Sequence, residues 1–145
     1  MTRWDGCERS SAALFEAEVA LEGAGSAVRY EMQPELVPAF LRRAVTSWTQ
    51  EPQALPPVVV WDADGFEPNA WYDHRDDTIH LAPRAVHPLL VLHELAHALR
   101  PGESHGSQWA ATVVCLAALT LGQQAKEAVE EAFADEGLLV DPAWT

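Results

Sequence analysis

The sequence predicts a single α+β domain over residues 1–145, with a small three-stranded sheet and about five helices before and after it. Apolar residues make up 48% of the chain and charged residues 21%, which is typical of a globular protein. The short β-branched and aromatic runs fall within residues 58–81, and apolar residues recur at helical spacing on both sides of that segment. At this length we expect one hydrophobic core.

Apolar residues at helical spacing predict the positions of the helices. They are expected over residues 10–22, 34–49, 86–100, 107–121 and 123–136. Leu36 is expected on the buried face of the second helix, and the Ser107 hydroxyl is expected to cap the fourth. Gly122 and Gly137 are expected to end the fourth and fifth helices.

Three short runs predict the sheet. Residues 58–61 are a β-branched run, whereas residues 70–72 and 78–81 flank the acidic segment 73–77. This pattern predicts two antiparallel strands joined by a polar, solvated loop. We expect helix 86–100 to pack beneath the sheet, and the strand nearest the cleft could pair with an extended peptide.

The chain is acidic, with 22 Asp and Glu residues against 9 Lys and Arg residues and a net charge of −13. This charge disfavours contact with a phosphate backbone, so we expect no direct binding of nucleic acid. Cys7 and Cys115 are expected to be free thiols in a reducing compartment. Residues 1–9 lack the apolar core of a secretory signal, and the apolar stretch 110–121 is too short to span a bilayer. We therefore expect a cytoplasmic protein that does not enter a membrane.

Residues 93–97 read His-Glu-Leu-Ala-His, an H-E-x-x-H motif in an apolar, helical setting. Positions i and i+4 share one face of a helix, so His93 and His97 can bind the same metal ion. Glu94 is close enough to take a proton from a water that the metal activates. The alternative, a pair of satisfied core histidines, gives Glu94 no role on an apolar helix. The motif therefore predicts a zinc site with Glu94 as the catalytic general base.

A catalytic zinc ion usually has three protein ligands and one open position. His105 follows His97 by eight residues, and a Pro-Gly pair between them lets the chain turn back, so His105 is the expected third ligand. This histidine comes two residues later than in the metzincin motif H-E-x-x-H-x-x-G-x-x-H, and the glycine is missing. A gluzincin-like site would instead use a glutamate from a later helix. Glu127, Glu130 and Glu131 are candidates, although their pattern indicates an exposed face.

Segments 92–97 and 105–109 together resemble the SprT-like zinc metallopeptidases. The pattern of that family is H-E-x-x-H, a variable loop, and H-G-x-x-aromatic at the start of the next helix. The chain is similar, more closely, to a family of small actinobacterial metallohydrolases without an assigned substrate. This likeness covers most of the chain and is looser outside residues 79–109. It implies a zincin-like domain.

The resemblance also implies roles for individual residues. His93, His97 and His105 would be the ligands of one zinc ion, and Glu94 would be the general base. Gly106 would be a backbone hinge beside the third ligand, and Trp109 would be the aromatic residue packed under the site. SprT-like proteins often carry a zinc ribbon and a basic DNA-binding surface, and this chain has neither. DNA-linked protease activity is therefore not implied.

Two further residues are candidates for stabilising a transition state. Tyr72 could donate a hydrogen bond to an oxyanion, and His87 could polarise a substrate carbonyl. The simpler interpretations are an amphipathic strand residue and a surface histidine at a helix end.

The sequence as a whole predicts a zinc-dependent hydrolase, a metallopeptidase that cleaves amide bonds of a peptide or protein substrate by metal-activated water. Two alternatives stay open. One is a catalytically silent zinc-bound domain that recognises peptide or protein partners. The other is a hydrolase of a small amide or ester.

Overall fold

A computed structural model describes residues 12–21, 31–62, 70–102 and 105–141 of the chain. Within those ranges it contains five α-helices and three β-strands, which confirms the predicted α+β class. The helices are α1 (residues 12–21), α2 (Val37–Thr49), α3 (Pro88–Leu99), α4 (Ser107–Leu121) and α5 (Gln123–Asp135). The strands are β1 (Val58–Trp61), β2 (Ala70–Asp73) and β3 (Thr78–Leu81).

The three strands form one sheet in the order β1-β3-β2. Strands β2 and β3 are antiparallel, as predicted, with Ala70 opposite Leu81. Strand β1 pairs with β3 in parallel, with Val58 beside Thr78, so the chain crosses over between β1 and the hairpin. Side chains alternate between the two faces of a strand. Ile79 and Leu81 therefore share the buried face, whereas His80 lies on the opposite one.

Helix α3 lies in the middle of the domain. It contacts β2 on one side and α4 on the other, and α2 packs against both of these helices. Seven of the eight residues from Leu89 to Ala96 in α3 are buried, because the helix is covered on nearly all sides. An apolar helix of this kind suits a core position. The expected packing of the H-E-x-x-H helix against the sheet is therefore confirmed through β2.

Two details at the helix ends differ from the sequence predictions, and a third agrees. Leu36 is 46% exposed, because Pro34–Leu36 form a short 3₁₀ turn before α2 and not part of its buried stripe. Ser107 does not cap α4: Gly106 occupies the N-cap position, and no side-chain cap hydrogen bond is made there. Gly137 does end α5 as expected, with φ of 72°.

None of the helices in the described ranges combines the length and the apolar character that crossing a membrane requires. In the same ranges Cys115 is a free thiol, as expected. The expectation for Cys7 lies outside the described residues.

Candidate metal centre

Two neighbouring elements bring the predicted histidine ligands together. His93 and His97 lie one turn apart on the same face of α3. The chain then turns at Pro101 and Gly102, where Gly102 has φ of 84°, and returns through His105 to the start of α4. His105 itself has φ of 57°, a left-handed conformation that histidine adopts more readily than most residues. The loop after α3 therefore delivers the third imidazole to the first two.

The three imidazoles converge through their Nε2 atoms. Nε2 of His105 lies 3.0 Å from Nε2 of His97 and 3.4 Å from Nε2 of His93. Zn–N bonds of about 2.0–2.1 Å in a tetrahedral arrangement place two ligand nitrogens roughly 3.3 Å apart. Among the described residues, this is the one group of three or more potential ligands whose donor atoms lie within 4.8 Å of one another. The three histidines could therefore hold one metal ion.

Burial keeps these imidazoles in the form that binds metals. The pKa of His97 is lowered to about 4 by desolvation and by His105, and desolvation alone lowers the pKa of His105. Desolvation and the other two imidazoles lower the pKa of His93 well below its ordinary value. A neutral imidazole has the free lone pair that a metal ligand needs. At neutral pH the site is therefore a set of three uncharged donors.

Trp109 packs against the histidine cluster from one side. It is fully buried, and its ring centroid lies 5.0 Å from that of His93, 5.5 Å from that of His97 and 4.7 Å from that of His105. Its indole N–H donates to the His93 carbonyl at 3.4 Å. One rigid ring from α4 therefore packs against all three imidazoles and limits their movement.

The expected hinge role of Gly106 is not what the backbone shows. Gly106 has φ of −79° and ψ of −174°, an extended conformation that any residue can adopt. The residue with the unusual conformation is the preceding His105. The sharp change of direction before α4 therefore occurs at the ligand itself.

Glu94 lies next to the histidine cluster in a nearly dry environment. Its side chain is 6% exposed, and Oε2 lies 3.9 Å from Nε2 of His93. Burial raises the pKa of Glu94 to about 8. A buried carboxyl beside a set of converging ligands is the arrangement expected of a general base.

The two candidate transition-state groups, Tyr72 and His87, make hydrogen bonds to residues outside the histidine cluster. The Tyr72 hydroxyl donates to Oδ1 of Asp77 at 2.5 Å, in the turn between β2 and β3. Nδ1 of His87 accepts the Leu89 N–H at 3.1 Å and so caps α3. His87 precedes His93 by six residues, or about 9 Å along the helix axis. These contacts favour structural roles for both side chains.

The acidic residues that were considered as a third ligand do not join the cluster. Glu127 and Glu131 are exposed on α5, as their pattern indicated, and Glu130 is half-buried and paired with Lys126 at 3.6 Å. The turn between β2 and β3 is exposed over residues 74–77, as expected, whereas the expectation fails at Asp73, the last residue of β2. Asp73 is buried, and both of its carboxylate oxygens accept hydrogen bonds from Arg75.

Sequence reasoning missed one contact beside the site. Arg100, the residue after α3, reaches Thr112 on α4 and stacks on Trp48 of α2. The sequence shows only that Arg100 is a positive charge at the end of an apolar helix. Attraction to the helix dipole is enough to explain a charge at that position.

Comparisons with known proteins returned no match: no family model fits the chain, and no curated protein and no solved structure is significantly similar to it. The resemblance to the SprT-like enzymes therefore stays a prediction, and the chemistry of the site has to be inferred from its geometry.

Proposed function

We propose that this protein is a zinc-dependent hydrolase of zincin-like fold, a metallopeptidase that cleaves amide bonds. His93, His97 and His105 would hold one zinc ion, and Glu94 would be the general base. The observation that carries the proposal is the convergence of three Nε2 atoms beside a buried carboxyl group. The same residues are those that the H-E-x-x-H motif and the later histidine predict.

The donor set supports zinc over the hard cations. Calcium and magnesium prefer oxygen ligands, whereas imidazole suits zinc and its neighbours in the transition series. Three neutral imidazoles do not reduce the charge of a divalent ion, and a three-ligand set is the pattern of catalytic rather than structural zinc sites. When bound, zinc would supply Lewis acidity that polarises a carbonyl group and acidifies water.

The role proposed for Glu94 follows from its surroundings. Its carboxylate would accept the proton of the attacking water and later deliver it to the departing amine. Burial alone raises the pKa of Glu94 to about 8, and a nearby cation favours the ionised form. These two effects oppose each other, and together they favour a carboxyl that can both accept and return a proton near neutral pH.

The position of β2 supports a peptide substrate. Within the described part of the sheet β2 is an edge strand, and it is the strand that contacts α3. An edge strand exposes backbone N–H and C=O groups that can pair with an extended chain. Such pairing would hold a peptide next to the helix that carries His93, Glu94 and His97. The net charge of −13 favours a peptide or protein partner over nucleic acid, and we place the activity in the cytoplasm.

The variant Glu94→Gln tests this function. We expect it to lose hydrolysis of a broad peptide library while it keeps the zinc content of the wild type, because Gln is isosteric but cannot accept the proton. Glu131→Gln, an exposed change on α5, is the matched control and should keep full activity. Equal product formation by wild type and Glu94→Gln would contradict the proposal. If both bind zinc and neither cleaves, a silent recognition domain is favoured; cleavage of small amides or esters alone favours the third alternative.

A further inference from the structure

We propose that Arg100 is a positioning residue for the metal centre. It forms a strut, defined here as Arg100 with its contacts Trp48 and Thr112, that fixes the separation between the helix carrying His97 and the segment carrying His105. This inference rests on the metal site of the proposed function but not on catalysis. In this role Arg100 acts through the backbone that holds the imidazoles.

One side chain joins three helices in this strut. Arg100 is the C-cap residue of α3, three residues after His97. Its Nε donates to Oγ1 of Thr112 on α4 at 3.1 Å. Its guanidinium carbon lies 5.0 Å from the ring centroid of Trp48 on α2. A planar guanidinium can make a directed hydrogen bond and stack on an aromatic face at the same time, which a flexible ammonium group does less well.

The hydrogen bonds continue from Arg100 into the first turn of α4. Thr112 is 1% exposed, and its hydroxyl donates to the Gln108 carbonyl at 2.8 Å. The single hydroxyl proton is therefore used within α4, and the oxygen is left as an acceptor for Arg100. Gln108 precedes Trp109, the ring that packs against all three imidazoles. The chain of contacts thus runs from the end of α3 to the ring that packs against the metal site.

The position of the strut explains why it should matter to the ligands. Pro101 and Gly102 follow α3, and His105 and Gly106 precede α4, so the contact between Arg100 and Thr112 ties together the two helix ends that flank this connection. His105 lies just before α4 in a left-handed conformation, which has to be maintained by surrounding contacts. The 3.0 Å separation of the His97 and His105 Nε2 atoms depends on the same two chain segments. Loosening the tie between the end of α3 and α4 should therefore weaken the preorganisation of the third ligand.

The simplest alternative is that Arg100 only provides a favourable positive charge at the end of α3. Lysine would serve that purpose equally well, so Arg100→Lys separates the two explanations. Arg43 offers a matched control, because it also stacks on an aromatic ring, Phe40 at 5.4 Å, and also reaches α4, through the Thr120 carbonyl at 3.4 Å. Arg43 is exposed, and its hydrogen bond within the described part of the chain goes to α4 and not to α3. Arg43→Lys therefore changes a similar bridge that does not involve the metal helix.

The test measures the zinc dissociation constant of the full chain by competition with a chromophoric chelator. We expect Thr112→Val and Arg100→Lys each to weaken zinc binding by about tenfold, the lower end of the range for residues that contact metal ligands directly, because the strut acts one step further from the metal. Thr112→Ser keeps the hydroxyl and should restore binding to within about twofold of wild type, and Arg43→Lys should also stay within that range. The visible spectrum of the cobalt-substituted protein should change in the first two variants only.

Thermal unfolding of the metal-free proteins separates positioning from general stability. The positioning role is overturned if Thr112→Val and Arg100→Lys both bind zinc with wild-type affinity and lose melting temperature only to the extent that Arg43→Lys does. If one of the two variants fails to fold, the other decides by the same criterion. A wild-type chain that binds no zinc would overturn both this inference and the proposed function, whereas zinc binding by wild type and unchanged affinity in the variants overturns this inference alone.

Discussion

Glu94 should lower the free energy of unfolding of the metal-free protein at neutral pH, and the Glu94→Gln variant should show by how much. Its carboxyl is buried on α3, and burial raises its pKa from an ordinary 4.5 to about 8. In the unfolded chain the carboxyl ionises above about pH 4.5, whereas in the folded chain it stays protonated until about pH 8. The unfolded state therefore gains stability over the folded state as pH rises through this window. Glutamine is neutral throughout and is spared this loss.

The expected difference between Glu94→Gln and wild type follows from that window. It should be near zero at pH 4.5, rise with pH, and reach at most about 3 kcal/mol in favour of the variant near pH 7. For a chain of this size, each kcal/mol corresponds to roughly 2–4 °C in melting temperature. The histidine cluster titrates in both proteins, so its contribution is common to them. The assay is urea unfolding followed by tryptophan fluorescence, with a chelator present, between pH 4.5 and 8.

The Glu131→Gln variant provides the control, because Glu131 is exposed and its replacement should change stability by less than about 0.5 kcal/mol at every pH. A Glu94→Gln variant that is no more stable than wild type at pH 7, or whose advantage does not change with pH, would show that Glu94 is not a desolvated carboxyl. The buried environment proposed for the general base would then be wrong.

Two further predictions concern hydrogen bonds that stabilise the fold outside the histidine cluster. His87→Ala should lower the free energy of unfolding by about 1 kcal/mol, because the Leu89 N–H loses its cap, whereas His87→Asn should preserve the cap and the stability. Urea unfolding of both variants measures this difference. An equal loss of stability in the two variants would exclude capping by His87. Asp62→Ala should cost about 1 kcal/mol, because Asp62 after β1 holds Nδ1 of His80 on β3 at 2.8 Å and so ties the parallel pair together. Amide exchange in β3 should become faster in that variant, and unchanged exchange would rule out the tie.

The sequence predicts the helices well because they are long and their apolar pattern is strongly periodic. Helix α3 was expected over residues 86–100 and runs from Pro88 to Leu99. The three strands were also expected at nearly their observed bounds. The parallel pairing of β1 with β3 was not, because each strand is only four residues long and carries no signal for a partner distant in sequence.

The candidate site shows the same division between local and long-range information. The motif specifies His93, Glu94 and His97 through helix geometry alone, and their grouping was therefore predictable. His105 could be proposed only because the loop was long enough to return it, and the structure brings it to 3.0 Å from His97. The contact of Arg100 with Thr112 depends on the packing of α3 against α4, which the sequence pattern does not contain.

Elemental analysis of the purified chain after saturation with zinc and removal of excess metal tests the central claim most directly. His93, His97 and His105 should retain one zinc ion per chain, and His105→Ala should bind it at least about 100-fold more weakly, because loss of a ligand costs more than loss of an outer-shell partner. A wild-type chain that takes up no zinc, or a His105→Ala variant with undiminished zinc affinity, would contradict the three-histidine centre.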